Sequence, residues 1–117
     1  MDLKREYKEF NREYFDDDLP DDVRVTFSNN MQKDAIGGCH IHGVTECKWT
    51  GGDKCAGHSI RIRPFMKKYP CMARMTLLHE MAHLRVGLTV GGCNSHSYPW
   101  QTEMRRLVKI GAFDDYW

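Results

Sequence analysis

The sequence predicts a compact α+β domain in which three main helices accompany a small sheet of about three strands. Apolar residues recur at three- and four-residue steps in three stretches, near residues 3–14, 72–86 and 100–108. Two short stretches, 23–27 and 59–63, alternate apolar with polar residues instead. At 117 residues the chain can bury one hydrophobic core comfortably, so residues 1–117 are read as one domain.

The first helix starts from Asp2, a suitable N-cap, and carries Leu3, Tyr7, Phe10 and Tyr14 on one face before ending near Phe15. The run from Asp16 to Asp22, with Pro20 inside it, is a solvated acidic turn. Its spacing lacks the alternating oxygens, central glycine and distal glutamate of a calcium loop. Val23, Val25 and Phe27 then alternate with polar residues as a strand with one buried face.

A second strand is expected over Cys39–Val44. After a turn at Gly51-Gly52-Asp53, a third follows over Ser59–Arg63, stopped by Pro64. Pro70 suits the first turn of the next helix, whose apolar positions are Met72, Met75, Leu78, Ala82 and Val86, with Gly87 as its stop. The glycine- and asparagine-containing stretch Leu88–Ser97 is an irregular connection. Pro99 opens a last helix with the stripe Trp100, Met104, Leu107 and Val108, which Gly111 ends.

The chemistry concentrates on the middle helix, in His79-Glu80-Met81-Ala82-His83. Residues four apart on a helix share a face, so His79 and His83 can offer two imidazoles to one ion. Glu80 is offset from them and can reach a water that the metal activates, which makes HExxH both a binding and a base motif. Met75, Leu77, Leu78, Met81, Ala82 and Leu84 surround the phrase, and a buried His-Glu-His without a metal would be costly.

A catalytic zinc site needs a third protein ligand and one open position. His96, 13 residues beyond His83, is the natural candidate; Glu103, 20 residues beyond, is the rival, since two histidines and a glutamate also hold catalytic zinc. The expected cofactor is therefore one Zn²⁺ per chain, and the expected reaction is hydrolysis of a peptide bond in a protein or peptide substrate. Glu80 would act as general base. The runner-up is a zinc-stabilised module that binds protein or nucleic acid with little or no proteolysis.

These residues resemble the SprT-like family of zincins, which includes Spartan proteases acting on DNA–protein crosslinks. The resemblance rests on Asn11-Arg12-Glu13-Tyr14-Phe15 with Leu19-Pro20, on Thr76-Leu77-Leu78-His79-Glu80-Met81-Ala82-His83, and on His96-Ser97-Tyr98-Pro99-Trp100. It implies a zincin-like fold, His79, His83 and His96 as zinc ligands, Glu80 as the catalytic glutamate, and an aromatic position at Trp100. Ser97-Tyr98-Pro99 departs from the family's more usual Gly-Pro-acidic segment. A third histidine six residues beyond His83 would indicate a metzincin, but that position is Thr89.

Other residues have plainer roles. Cys39, His40, His42, Cys47, Cys55 and His58 lack the paired spacing of a second metal site and are read as separate thiols and imidazoles. Cys93 could plug an open zinc position but suits a small apolar loop residue. Tyr98 could donate to an oxyanion or pack amphipathically.

Charge is unevenly distributed. Residues 1–53 hold 7 Lys/Arg against 12 Asp/Glu, whereas residues 54–109 hold 10 against 2, so the half with the motif is basic and nucleic acid is a conceivable partner. Five cysteines without a CxxC pair, a charged N-terminal stretch and no long apolar run point to the cytoplasm and to no membrane span.

Overall fold

The computed structural model describes residues 1–29, 37–40, 58–89, 96 and 98–116, those at 37–40 by backbone alone. Helix α1 spans Leu3–Tyr14, and Asp2 caps it by accepting from the Arg5 N–H at 3.2 Å. Its inward stripe is Leu3, Tyr7 and Phe10, as the helical spacing requires.

Asn11 lies on the same face and performs a task that the spacing does not reveal. Its amide donates to the Leu19 carbonyl at 2.9 Å and accepts from the Leu19 N–H at 3.1 Å, while its own carbonyl accepts from Phe15 and Asp17. One 2% exposed amide thus closes the acidic turn, where Asp16 and Asp17 take positive φ. Leu19 is thereby tucked into the core while Asp16, Asp17 and Asp18 stay exposed. Removing the amide would leave two backbone groups of Leu19 buried without partners, at about 1–3 kcal/mol each.

The sheet has three strands, β1 (Arg24–Phe27), β2 (Gly37–His40) and β3 (Ser59–Ile62), in the spatial order β1-β3-β2. β1 runs parallel to β3, with Val25 opposite Ile60 and Phe27 opposite Ile62; β2 runs antiparallel to β3, with Gly37 opposite Ile62. β2 begins two residues earlier than expected, and the expected continuation over 41–44 lies outside the described residues, as does the turn at 51–53.

The alternation expected of the third strand fails at burial. Ser59 and Arg61 are each 7% exposed, not solvated. The reason is position: β3 is the central strand, so Arg61 is flanked by Thr26 on one side and Gly38 on the other. Burial, and then the charge of Arg24, lowers its pKa.

After β3 the chain makes a 3-10 turn over Pro64–Lys68 that seats Met66 in the core. Helix α2 (Pro70–Thr89) follows and is the core's central element. Leu77, Leu78, Met81, Ala82 and Leu84 are fully buried, which is burial around the helix, not along one stripe. Met72, placed by spacing on the buried stripe, is 44% exposed, and Gly87 is a buried interior residue rather than the stop, since the helix runs on to Thr89. Each fully buried Leu or Met contributes about 1.5–3 kcal/mol, which offsets the cost of burying Glu80 and His83 among them.

Helix α3 spans Tyr98–Lys109, opening one residue before Pro99. Gly111, at φ 86°, ends it as expected: its N–H reaches the Val108 carbonyl, and the Ala112 N–H reaches the Leu107 carbonyl at 3.0 Å. Ala112 and Leu107 are both buried, the apolar contact that accompanies this type of cap. Val108 is 41% exposed and so leaves the predicted stripe, whereas Leu107, Trp100 and Met104 keep to it. Arg74 of α2 pairs with Glu6 of α1 at 3.2 Å, and Tyr116 packs edge-on against Phe10. No described helix is long and apolar enough to cross a membrane.

Candidate metal centre

Two elements build the site. His79 and His83 stand one turn apart on α2, and His96 stands just before α3. Their ring nitrogens converge: His79 Nε2 lies 3.2 Å from His83 Nε2 and 3.3 Å from His96 Nε2, and ligand atoms of all three lie within 4.8 Å of one another. Among the described residues this is the group of His, Cys, Asp or Glu side chains positioned to hold a metal ion.

The donor set fits zinc. Ligands placed tetrahedrally at about 2.0–2.1 Å from zinc sit about 3.3–3.4 Å from one another, close to the 3.2 Å and 3.3 Å that separate His79 Nε2 from the other two Nε2 atoms. An imidazole nitrogen carries one proton or one lone pair in its ring plane and serves one hydrogen-bond partner well. His79 Nε2 faces two such partners, an arrangement a shared cation satisfies and a single proton does not.

Burial prepares the two α2 histidines for this role. It pushes the pKa of His79 down to about 4 and that of His83 to about 3, with neighbouring histidines adding to the effect. Both are therefore neutral near pH 7 and can present a lone pair.

Glu80 is 5% exposed and shares α2 with the two histidines, one residue beyond His79. Trp100, on the first turn of α3, lies against all three imidazoles, with ring centroids 4.9 Å from His79, 5.1 Å from His83 and 4.3 Å from His96.

Glu103 is committed elsewhere. Its Oε1 accepts from Arg106 Nε at 3.0 Å and Nη2 at 2.5 Å, and Arg85 Nε of α2 stands 3.8 Å away. Arg85 also pairs with Asp18 at 3.3 Å, and the guanidinium groups of Arg85 and Arg106 lie 5.9 Å and 5.3 Å from the Phe15 ring centroid. This arginine–glutamate–phenylalanine cluster ties the acidic turn, α2 and α3 together. Glu103, the rival third ligand by spacing, is not in the converging group; its side chain, 12% exposed, is held in the ion pair with Arg106.

Tyr98 is 73% exposed, so it does not pack amphipathically into the core. Of the middle-segment residues, His58 is half-buried at the start of β3; the side chains of Cys39 and His40, and all of His42, Cys47, Cys55 and Cys93, lie outside the described residues.

A model of the SprT-like family matches residues 3–114, nearly the whole chain. No individually curated protein matches the sequence.

Proposed function

The chain belongs to the SprT-like family, and from that premise we propose that it is a zinc-dependent metallopeptidase that hydrolyses peptide bonds in protein substrates. The observation that carries the reading is the convergence of three imidazoles, two of them on the helix that also bears a buried glutamate, with His79 Nε2 3.2 Å from His83 Nε2 and 3.3 Å from His96 Nε2. His79, His83 and His96 would hold the ion, a three-ligand protein set of the kind that catalytic rather than structural zinc sites have.

When bound, the zinc supplies Lewis-acid chemistry, lowering the pKa of water and polarising the substrate carbonyl. Glu80 accepts the proton of the attacking water as its oxygen bonds to the carbonyl carbon. The same carboxyl then delivers that proton to the departing amine as the C–N bond breaks. Apolar neighbours on α2 keep bulk water away from the carboxylate and strengthen its electrostatic coupling to the site.

The test is hydrolysis of an unstructured protein such as casein by the zinc-loaded chain. It is run with and without single-stranded DNA because residues 54–109 are basic. Cleavage should be abolished by a chelator and restored by zinc. Tight zinc binding with no cleavage under either condition would instead favour the zinc-stabilised binding module.

A further inference from the structure

We propose that Trp100 is a positioning residue of the metal centre, holding all three histidines in their converging orientation by ring packing. The inference rests on the metal site proposed above. Its indole stacks on His83 with 19° between the planes, meets His79 edge-on at 63° and lies tilted at 37° against His96. One side chain therefore restrains the ring of each ligand, including the pair on α2 and the single histidine that precedes α3.

Metal-binding histidines are ordinarily oriented by a hydrogen bond from their second ring nitrogen to a carboxylate, a carbonyl or water. Among the described residues, the hydrogen-bond contacts of these three imidazoles are those between their own Nε2 atoms. Ring packing against Trp100 takes over the orienting task. The three rings also meet one another at centroid distances of 4.9, 5.2 and 5.0 Å, so the four form one aromatic cluster.

The indole N–H clarifies what the tryptophan is for. Trp100 Nε1 is buried and has no hydrogen-bond partner among the described residues. A polar group buried in this way is a cost, so the residue serves through its ring surface and not through its donor. The ring is in turn fixed by α3, where Leu107 is fully buried and Glu103 is held by Arg106 and Arg85. Trp100 stands four residues after His96, so one short stretch of chain supplies both a ligand and the brace for all of them.

The experiment compares zinc affinity, by competition with a chelating dye, in the wild-type chain and in Trp100→Phe, Trp100→Leu and Trp100→Met. Visible absorption of the Co²⁺-loaded forms reports coordination geometry, and melting of the metal-free forms reports folding. Leu and Met keep apolar bulk without a ring, so whichever folds is decisive. Each should lose about 10–100-fold in zinc affinity, the usual effect of removing a group that orients a ligand, and weaken the tetrahedral Co²⁺ bands. Phe keeps a ring and discards the buried N–H, so it should retain those bands and lose less than about tenfold.

A folded Leu or Met variant with wild-type affinity and bands overturns the proposal, as does a Phe variant that loses as much as they do. A wild-type chain that takes up no zinc overturns the metal site as well. Zinc uptake by the wild type with indifferent ringless variants overturns the role of Trp100 alone.

Discussion

Replacing Glu80 with glutamine should leave the chain folded and loaded with zinc while lowering hydrolysis by about 10²–10⁴-fold, the usual contribution of a positioned general base. Glutamine has nearly the same shape, so the packing around this 5% exposed position is kept. It cannot take a proton from water, so the step that makes the nucleophile is lost. A neutral amide is also less costly to bury than a carboxylate, and the variant should melt no lower than the wild type. kcat/KM on the same protein substrate, zinc content and a thermal melt together check this. A variant that cleaves as fast as the wild type would remove Glu80 from the mechanism.

Replacing His96 with alanine should weaken zinc binding by roughly 10²–10³-fold, taking each ligand as about a quarter of the binding free energy of a four-ligand zinc site. Replacing Glu103 with alanine should leave zinc affinity nearly unchanged and lower stability instead. Its carboxylate receives both Arg106 and Arg85, and its side chain is only 12% exposed. Loss of this charge-assisted pairing costs about 1–3 kcal/mol; Arg85 keeps Asp18, but the guanidinium of Arg106 is left against Phe15 without the carboxylate it pairs with. Zinc titration and urea unfolding of both variants separate the two effects. A severe zinc loss in Glu103→Ala with little change in His96→Ala would reverse the assignment.

The parts of this architecture that depend on local spacing could be read from the sequence. Leu3, Tyr7 and Phe10 marked α1, Pro70 marked the start of α2, Gly111 marked the end of α3, and the four-residue step from His79 to His83 marked the face they share. His96 was within reach because catalytic zinc calls for a third ligand and the chain offers a histidine before the last helix.

What escaped depends on neighbours distant in sequence. Alternation in Ser59–Ile62 cannot disclose that strands pair on both sides of β3, nor that Ser59 and Arg61 are as buried as Ile60 and Ile62 are expected to be. Helical spacing placed Met72 inward, but an element's outer end extends past the core whatever its stripe suggests. Gly87 carries a stop signal that packing overrides, since α2 continues to Thr89. The clamp of Asn11 on Leu19, the sharing of Glu103 between Arg85 and Arg106, and the contact of Trp100 with three imidazoles are tertiary pairings that no period in the sequence encodes.

Elemental analysis of the purified chain, alone and after simultaneous replacement of His79 and His83 with alanine, tests the metal centre most directly. The account predicts one zinc per chain in the wild type and none in the double variant, because the three converging histidines are the single set with both suitable chemistry and suitable spacing among the described residues. Two equivalents in the wild type, with one surviving the double replacement, would contradict it and assign a second site to the cysteine-containing middle segment; a wild type that holds no zinc when supplied with it would contradict the centre itself.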